Sequence, residues 1–274
     1  MITSSANQQI KRILQLNKKA KTRYEQRVFV AEGIKMCMEA PKERIEAMYV
    51  SESFAQEEGR LSNIRGYSYE VLSDSLFRTV SDTKTPQGIL CLVRMPEYSL
   101  EDLLAPAVDG EPFQMQSENR RNPHLLILEG IQDPGNLGTM IRTGEGAGAT
   151  GVIMDKNTVD IFHPKTIRAT MGSLYRMPFY IASDLPETIL WLKGQGVSMY
   201  AAHLKGELAY HQPDYRQPAG FLIGNEGNGL SPKIAGLADT RIRIPMEGQV
   251  ESLNAAVAAA LLMYEARRQR ELND

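Results

Sequence analysis

LEGIQDPGNLGTMIRTGEGAGATGVIM, Leu128 to Met154, contains the letters GAGATG at Gly146 to Gly151 and so poses a choice between two folds. In a dinucleotide-binding unit a G-x-G-x-x-G stretch follows a strand and opens a helix, because its glycines bring the backbone to a pyrophosphate at the helix N-terminus. Here the order is reversed. The run Leu125, Leu126, Ile127, Leu128 reads as a buried strand, and Asp133-Pro134-Gly135 reads as a turn. Leu137, Met140, Ile141, Gly144 and Ala147 then recur at i, i+3, i+4, i+7 and i+10, the pattern of one apolar helix face that runs up to the glycines. Gly151-Val152-Ile153-Met154 begins another strand. The glycines are therefore expected to form a helix C-cap and a tight turn. A nicotinamide oxidoreductase, the alternative they suggested, loses its main support.

With 274 residues, 42% hydrophobic and 23% charged, the chain has the composition of a soluble globular protein, and its length suits two domains. No apolar run approaches the roughly 20 residues that span a bilayer. The N-terminal stretch MITSSANQQIKRILQLNKKAKTRYEQR lacks the apolar core of a secretory signal, so a cytoplasmic location is expected. Cys37 and Cys91 stand in apolar surroundings and read as buried thiols. His124, His163, His203 and His211 are scattered without metal-ligand spacing, so no metal site is expected. The net charge of -2 argues against a protein that coats nucleic acid. Yet no acidic residue precedes Glu25, while Lys11, Arg12, Lys18, Lys19, Lys21 and Arg23 accumulate. Such a patch could neutralise several phosphates, or it could be a solvated helix end.

After the basic helix, strands are expected at Val28 to Val30, Met48 to Val50, Tyr69 to Leu72 and Ile89 to Val93, with helices near Gly33 to Ala40, Phe54 to Leu61 and Ser73 to Val80. These make a small α/β domain, residues 1–95. Residues 96–123, rich in Pro, Glu, Gln, Ser and Asn, read as a linker or mobile loop. Strand and helix alternation resumes over 124–274, with strands expected at 125–128, 152–154, 178–181, 198–201, 220–223 and 241–244. The final helix in SLNAAVAAALLMYEARRQRE is apolar on nearly every side in its first half and must be covered by a core or by a second copy.

Three segments, DPGNLGTMIRTGEGAGATG, FLIGNEGNGLSP and RIPMEGQVESLNAAVAAALLMYE, closely resemble in this order the signature segments of the SpoU (TrmH-like) RNA ribose 2'-O-methyltransferases of the SPOUT superfamily. The resemblance covers Leu125 to about Arg268. More softly, SSANQQIKRILQL, FVAEGIKMCMEA and SDTKTPQGIL resemble the L30e-like substrate-binding domain often fused to it. The resemblance implies an α/β fold, with a small L30e-like domain before a SPOUT domain that has a parallel sheet and a trefoil knot. It also implies S-adenosyl-L-methionine as cofactor and a homodimer formed through the C-terminal domain. The substrate it implies is structured RNA, with ribosomal RNA favoured over transfer RNA. An inactive RNA-binding protein is the competing reading.

Carried over residue by residue, the resemblance makes Gly224, Ile244, Met246 and Leu253 the cofactor wall, and Arg142, Asn136, Glu226, Ser252 and Asn254 the catalytic set. The residue chemistry leaves a second job open for most of these. Ile244 and Leu253 also suit a core, and Asn136, Ser252 and Asn254 also suit helix N-caps. Glu226 suits a loop brace as well as a catalytic carboxylate. Arg142 falls off the apolar helix face, where a surface ion pair is the ordinary alternative. FHPKTIRATMGSLYRMPF also resembles a family stretch, which adds Lys165 and Arg168 to Lys11, Arg12, Lys18 and Lys19 as candidates for RNA binding.

Overall fold

The computed structural model describes residues 1–104 and 122–271. The chain divides into two compact units, one of Met1–Glu97 with Asp160–Tyr175, the other of Tyr98–Val159 with Arg176–Asp274.

In the first unit, strands β1 (Val28–Glu32), β2 (Ile45–Ser51), β3 (Glu70–Leu72) and β4 (Ile89–Arg94) form a sheet in the order β1-β4-β2-β3. β4 is antiparallel to both its neighbours, and β2 and β3 are parallel. The helix Gln8–Lys18 is capped by Asn7, whose side chain accepts from Gln9 N at 2.8 Å. Its Ile10, Ile13 and Leu16 recur on one face and are fully buried against Val30, Leu90 and Leu92. The helix expected near Phe54 to Leu61 is two short ones, Glu52–Gln56 and Glu58–Leu61. Cys37 and Cys91 are free and buried.

Two features of this unit have no counterpart in the sequence reading. The segment Asp160–Tyr175, read from sequence as part of 124–274, packs into the first unit. Phe162 stacks on Phe29 with ring centroids 4.9 Å apart, and Tyr175 donates its hydroxyl to Met36 O at 2.9 Å. Arg23, counted in the basic patch, is only 3% exposed. Its guanidinium pairs with the Asp160 carboxylate and donates to Leu16 O and Asn17 O. It is a packing arginine, because a buried guanidinium must have its donors matched.

The second unit holds seven strands: β5 (His124–Leu128), β6 (Gly151–Asp155), β7 (Phe179–Ala182), β8 (Ser198–Ala202), β9 (Leu208–Ala209), β10 (Ala219–Ile223) and β11 (Thr240–Arg243). Their order is β7-β6-β5-β10-β8-β11-β9, and every neighbouring pair is parallel. The central pair β5 and β10 is buried at every position, which is why both read as unbroken apolar runs. Only the two-residue β9 was not expected.

The GAGATG stretch behaves as its order predicts. The helix Pro134–Ala147 ends at Gly148 with φ 75°, where Gly148 N and Ala149 N return to Glu145 O and Gly144 O. A Cβ on Gly151 would meet Leu103 Cγ at 2.3 Å, and one on Gly146 would meet the Tyr264 hydroxyl at 3.1 Å. Packing explains these glycines without a dinucleotide. Leu103 belongs to a helix, Leu100–Leu104, inside the stretch read as a linker or mobile loop; the rest of that stretch up to residue 121 lies outside the described residues.

The helix Ala255–Glu271 packs on Pro134–Ala147, β5 and β10 and buries Ala255, Ala256, Ala259, Leu262, Met263 and Ala266, while Val257 and Tyr264 stay 48% exposed. Near its end Arg270 donates to the carbonyls of Asn122, Pro123, Tyr215 and Gln217. Among the described residues no helix is long and apolar enough to cross a membrane, and no group of three His, Cys, Asp or Glu could hold a metal ion.

Candidate active site

Open parallel sheets place ligands beyond the carboxyl ends of their strands. In the second unit those ends carry the turn 129–133 after β5, the loop 224–231 after β10, the turn 203–207 after β8 and the segment 244–254 after β11. The glycine-rich loop closes on itself, with Asn225 and Gly229 exchanging backbone hydrogen bonds at 3.1 and 2.9 Å. A Cβ on Gly224 would stand 2.1 Å from Leu230 N, so no larger residue fits there.

Side chains then tie this loop to the turn after β5. Asn225 donates to Gly130 O at 2.8 Å while its Oδ1 accepts from Gly227 N and Asn228 N. Glu129 accepts from Ser231 N at 2.7 Å. Glu226 accepts three bonds, from Gln132 N at 3.0 Å, Asp133 N at 3.1 Å and Asn136 Nδ2 at 2.9 Å. Partial burial pushes the Glu226 carboxyl up, but the bonds from Asn136, Gln132 and Asp133 outweigh it and hold the group below the usual carboxylate range. Asn136 Oδ1 in turn accepts from Asn254 Nδ2 at 3.0 Å, and Asn254 Oδ1 accepts from Ala256 N and Val257 N. A continuous polar chain, Glu226–Asn136–Asn254, thus joins three segments.

Beside that chain opens a cleft of about 450 Å³. Its walls are Ile223, Leu230, Ile242, Ile244, Met246 and Leu253, its floor is the backbone of Gly224 to Gly229, and Ser252, His203 and Lys205 stand on its rim. All four residues expected to form the cofactor wall line it. Met246 leaves 36% of its surface bare there. Apolar walls with glycine backbone suit an adenosine and a methionine chain, because the ring can stack on aliphatic groups while peptide N–H and C=O groups read its edge.

The catalytic set divides. Asn136, Glu226 and Asn254 are joined, and Ser252 lines the cleft. Asn254 caps its helix as its chemistry suggests, but Asn136 does not: the cap is Asp133, whose side chain accepts from Asn136 N at 2.8 Å. Pro134 at the first helical position was the signal for that cap. Arg142 is exposed, outside the cleft, with no ion-pair partner among the described residues. It lies six residues beyond Asn136, roughly 240° around the helix. Asn225 and Glu129 were missed by sequence reasoning; G-N-E-G reads as a turn, but nothing local marks Glu129 as its brace.

The RNA candidates all fall in the first unit. Lys11, Lys18, Lys19 and Lys165 are exposed. Arg12 is engaged by Glu46 and Gln26, and Arg168 pairs with Asp82 at 2.8 Å.

A model of the SpoU rRNA Methylase family matches residues 123–264, more than half the chain. The chain belongs to this family. Residues 7–91 match the MRM3-like substrate binding domain, so the SpoU protein carries its own substrate-binding unit. It is 34% identical to the 23S rRNA (guanosine(2553)-2'-O)-methyltransferase RlmP of Bacillus subtilis (strain 168), over 97% of this chain and 98% of the relative. The AdoMet-bound rRNA methyltransferase from Sinorhizobium meliloti superposes with a TM-score of 0.79 at 30% identity, covering 97% of each chain. An RNA 2'-O ribose methyltransferase structure gives the same score and identity over 98% of this chain and 99% of its own. The SpoU protein is an RNA 2'-O-methyltransferase, and its methyl donor is S-adenosylmethionine.

Proposed function

We propose that this enzyme methylates the ribose 2'-hydroxyl of a guanosine in 23S ribosomal RNA, as a cytoplasmic homodimer. The observation that carries the reading is the polar chain Glu226–Asn136–Asn254 at the rim of an apolar cleft, in a protein that matches the B. subtilis 23S rRNA enzyme from end to end. The sheet order is compatible with the trefoil knot that the family resemblance implies.

Bound S-adenosylmethionine supplies a methyl group made electrophilic by its sulfonium. Gly224, Ile244, Met246 and Leu253 would hold it. The chain's polar residues then have to present a ribose hydroxyl and dispose of its proton. Glu226 suits that second task poorly, since three donors already engage its carboxylate and hold its pKa below the usual range, which makes it a weak base. Its work is to hold Asn136 and the turn after β5 in place. Guanidinium groups stay protonated in proteins, so we assign Arg142, which stands outside the cleft of its own chain, the part of a fork on RNA phosphate and ribose rather than that of a base, and the hydroxyl proton passes to the phosphate oxygen.

For the second copy, Val257 and Tyr264 offer a bare apolar stripe on the outer face of the last helix. Val257→Asp should turn a dimer into a monomer by light scattering at micromolar concentration; a wild type already monomeric and fully active would remove the dimer. The substrate is tested by mapping ribose methylation across total RNA with and without the gene. Loss of a 23S site is expected, and loss confined to transfer RNA would overturn the assignment.

A further inference from the structure

We infer that Lys205 forms the subsite for the α-carboxylate of the methyl donor, a role that rests on the S-adenosylmethionine reading of the cleft. Among the described residues that line the cleft, Lys205 is the only lysine or arginine and Glu226 the only acid. Glu226 is turned to its three N–H donors. Lys205 is exposed and has no acidic partner among the described residues. An α-amino acid that lays its chain along apolar walls brings one carboxylate with it, and the rim offers that anion one cation.

The turn that presents Lys205 is fixed in advance. His203 N donates to Ile242 O at 2.9 Å, and Gly206 N returns to His203 O at 2.9 Å. Arg243 donates to Gly206 O at 2.7 Å and to Glu207 O at 2.8 Å. A Cβ on Gly206 would meet Ile242 C at 2.4 Å, so the turn lies flat on β11. His203 Nδ1 accepts from Lys205 N at 3.0 Å, which fixes the backbone at the lysine itself. This costs the ligand little ordering of the loop, because the backbone under Lys205 is already set.

Position separates the lysine from the reacting end. β10 runs between β5 and β8, so the turn after β8 and the turn after β5 stand about two strand spacings apart, roughly 10 Å. The polar chain is anchored on the β5 side, where Glu226 holds Gln132, Asp133 and Asn136 of the turn and helix after β5, and Asn254 reaches Asn136 there from the segment after β11. Lys205 therefore meets the part of the donor that does not react.

Calorimetry on the full-length protein with two adenosine thioethers tests this. S-adenosylhomocysteine carries the carboxylate, and 5'-methylthioadenosine lacks the whole amino-acid end. Lys205→Met should weaken S-adenosylhomocysteine about fivefold and leave 5'-methylthioadenosine within about twofold, and Lys205→Arg should recover most of the loss. Equal weakening of both ligands, or unchanged affinity for both, overturns the subsite. Unchanged affinity for both together with weaker RNA binding would give the lysine to the RNA instead. A wild-type protein that binds neither ligand would overturn the cofactor reading itself, a result distinct from the others.

Discussion

Asn254 donates its amide to Asn136 Oδ1 at 3.0 Å, across 118 positions of sequence. The bond joins the cap of the last helix to the first turn of the helix after β5, and through Asn136 it reaches Glu226. Each amide spends its donor on one neighbour and its oxygen on another, so the chain has a direction and a single arrangement.

That arrangement depends on an acceptor at its end. Glu226→Gln places an amide where three N–H groups point, and Glu226→Ala leaves those groups to water. Both variants should lose methyl transfer by about a hundredfold or more and about 1 kcal/mol of stability, read by single-turnover methylation and denaturant melts. The acid's pH window follows from its lowered pKa. A depressed carboxyl contributes stability above its ordinary value of 4.5 that is lost as pH falls below it, so the wild-type site should hold through neutral pH. A Glu226→Gln enzyme with wild-type single-turnover rates would end its positioning role.

His124 gives a different pH signature. It is 1% exposed, packs edge-on against Phe221 with centroids 5.7 Å apart, and its Nε2 has no hydrogen-bond partner. Burial, with Arg270 adding to it, pushes its pKa from 6.5 to about 3. A base with a depressed folded pKa contributes stability above its unfolded value, here 6.5, and that stability is lost as pH falls toward 3. The loss runs at about 1.4 kcal/mol per unit within this window. Thermal melts from pH 7 to 5 should fall more steeply for wild type than for His124→Phe, which keeps the ring packing and has no proton to bind. Parallel curves would refute it.

Arg142→Ala should abolish methyl transfer while leaving S-adenosylmethionine affinity within about threefold. Its exposed side chain has no ion-pair partner among the described residues, so stability should stay within about 0.5 kcal/mol. Arg142→Lys should also fail, because an ammonium lacks the planar fork. Near-normal turnover with tritiated cofactor in Arg142→Ala would take the residue out of the mechanism.

The exposed lysines of the first unit predict a salt effect. Lys11→Ala, Lys18→Ala and Lys19→Ala combined should weaken RNA binding and flatten its salt dependence by about 0.7 to 0.9 log units per log salt for each RNA phosphate that the lysines no longer neutralise. Arg12→Ala should change the slope less, since that arginine is already engaged by Glu46. A triple variant with the wild-type slope would move the RNA to another face.

What the sequence reveals follows from how local each interaction is. Strands β5 and β10 are buried on both faces, so they stand out as apolar runs, whereas β9 is two residues held only by β11 and leaves no pattern. The helix ending at Gly148 is legible because its period and its cap lie in one stretch. Ile244 and Leu253 look like core residues until motif resemblance gives them a ligand. Lys205 has no local signal, since its role comes from which strands flank β10. The membership of Asp160–Tyr175 in the first unit is equally silent: Arg23 and its carboxylate are 137 residues apart.

That last separation sets a timetable for the nascent chain. Synthesis delivers Met1–Glu97 first, with Phe29 and Arg23 in place but Phe162 and Asp160 not yet made. Translation proceeds at roughly 5–20 residues per second, so the early segment waits several seconds for its missing piece. Meanwhile β5, the following helix and β6 emerge before either unit is complete. On the ribosome the two units therefore mature as interleaved events, and a pause placed after codon 97 would prolong an unfinished state of the first unit, whereas a pause placed after Asp160–Tyr175 has left the ribosome would find that unit's pieces all available.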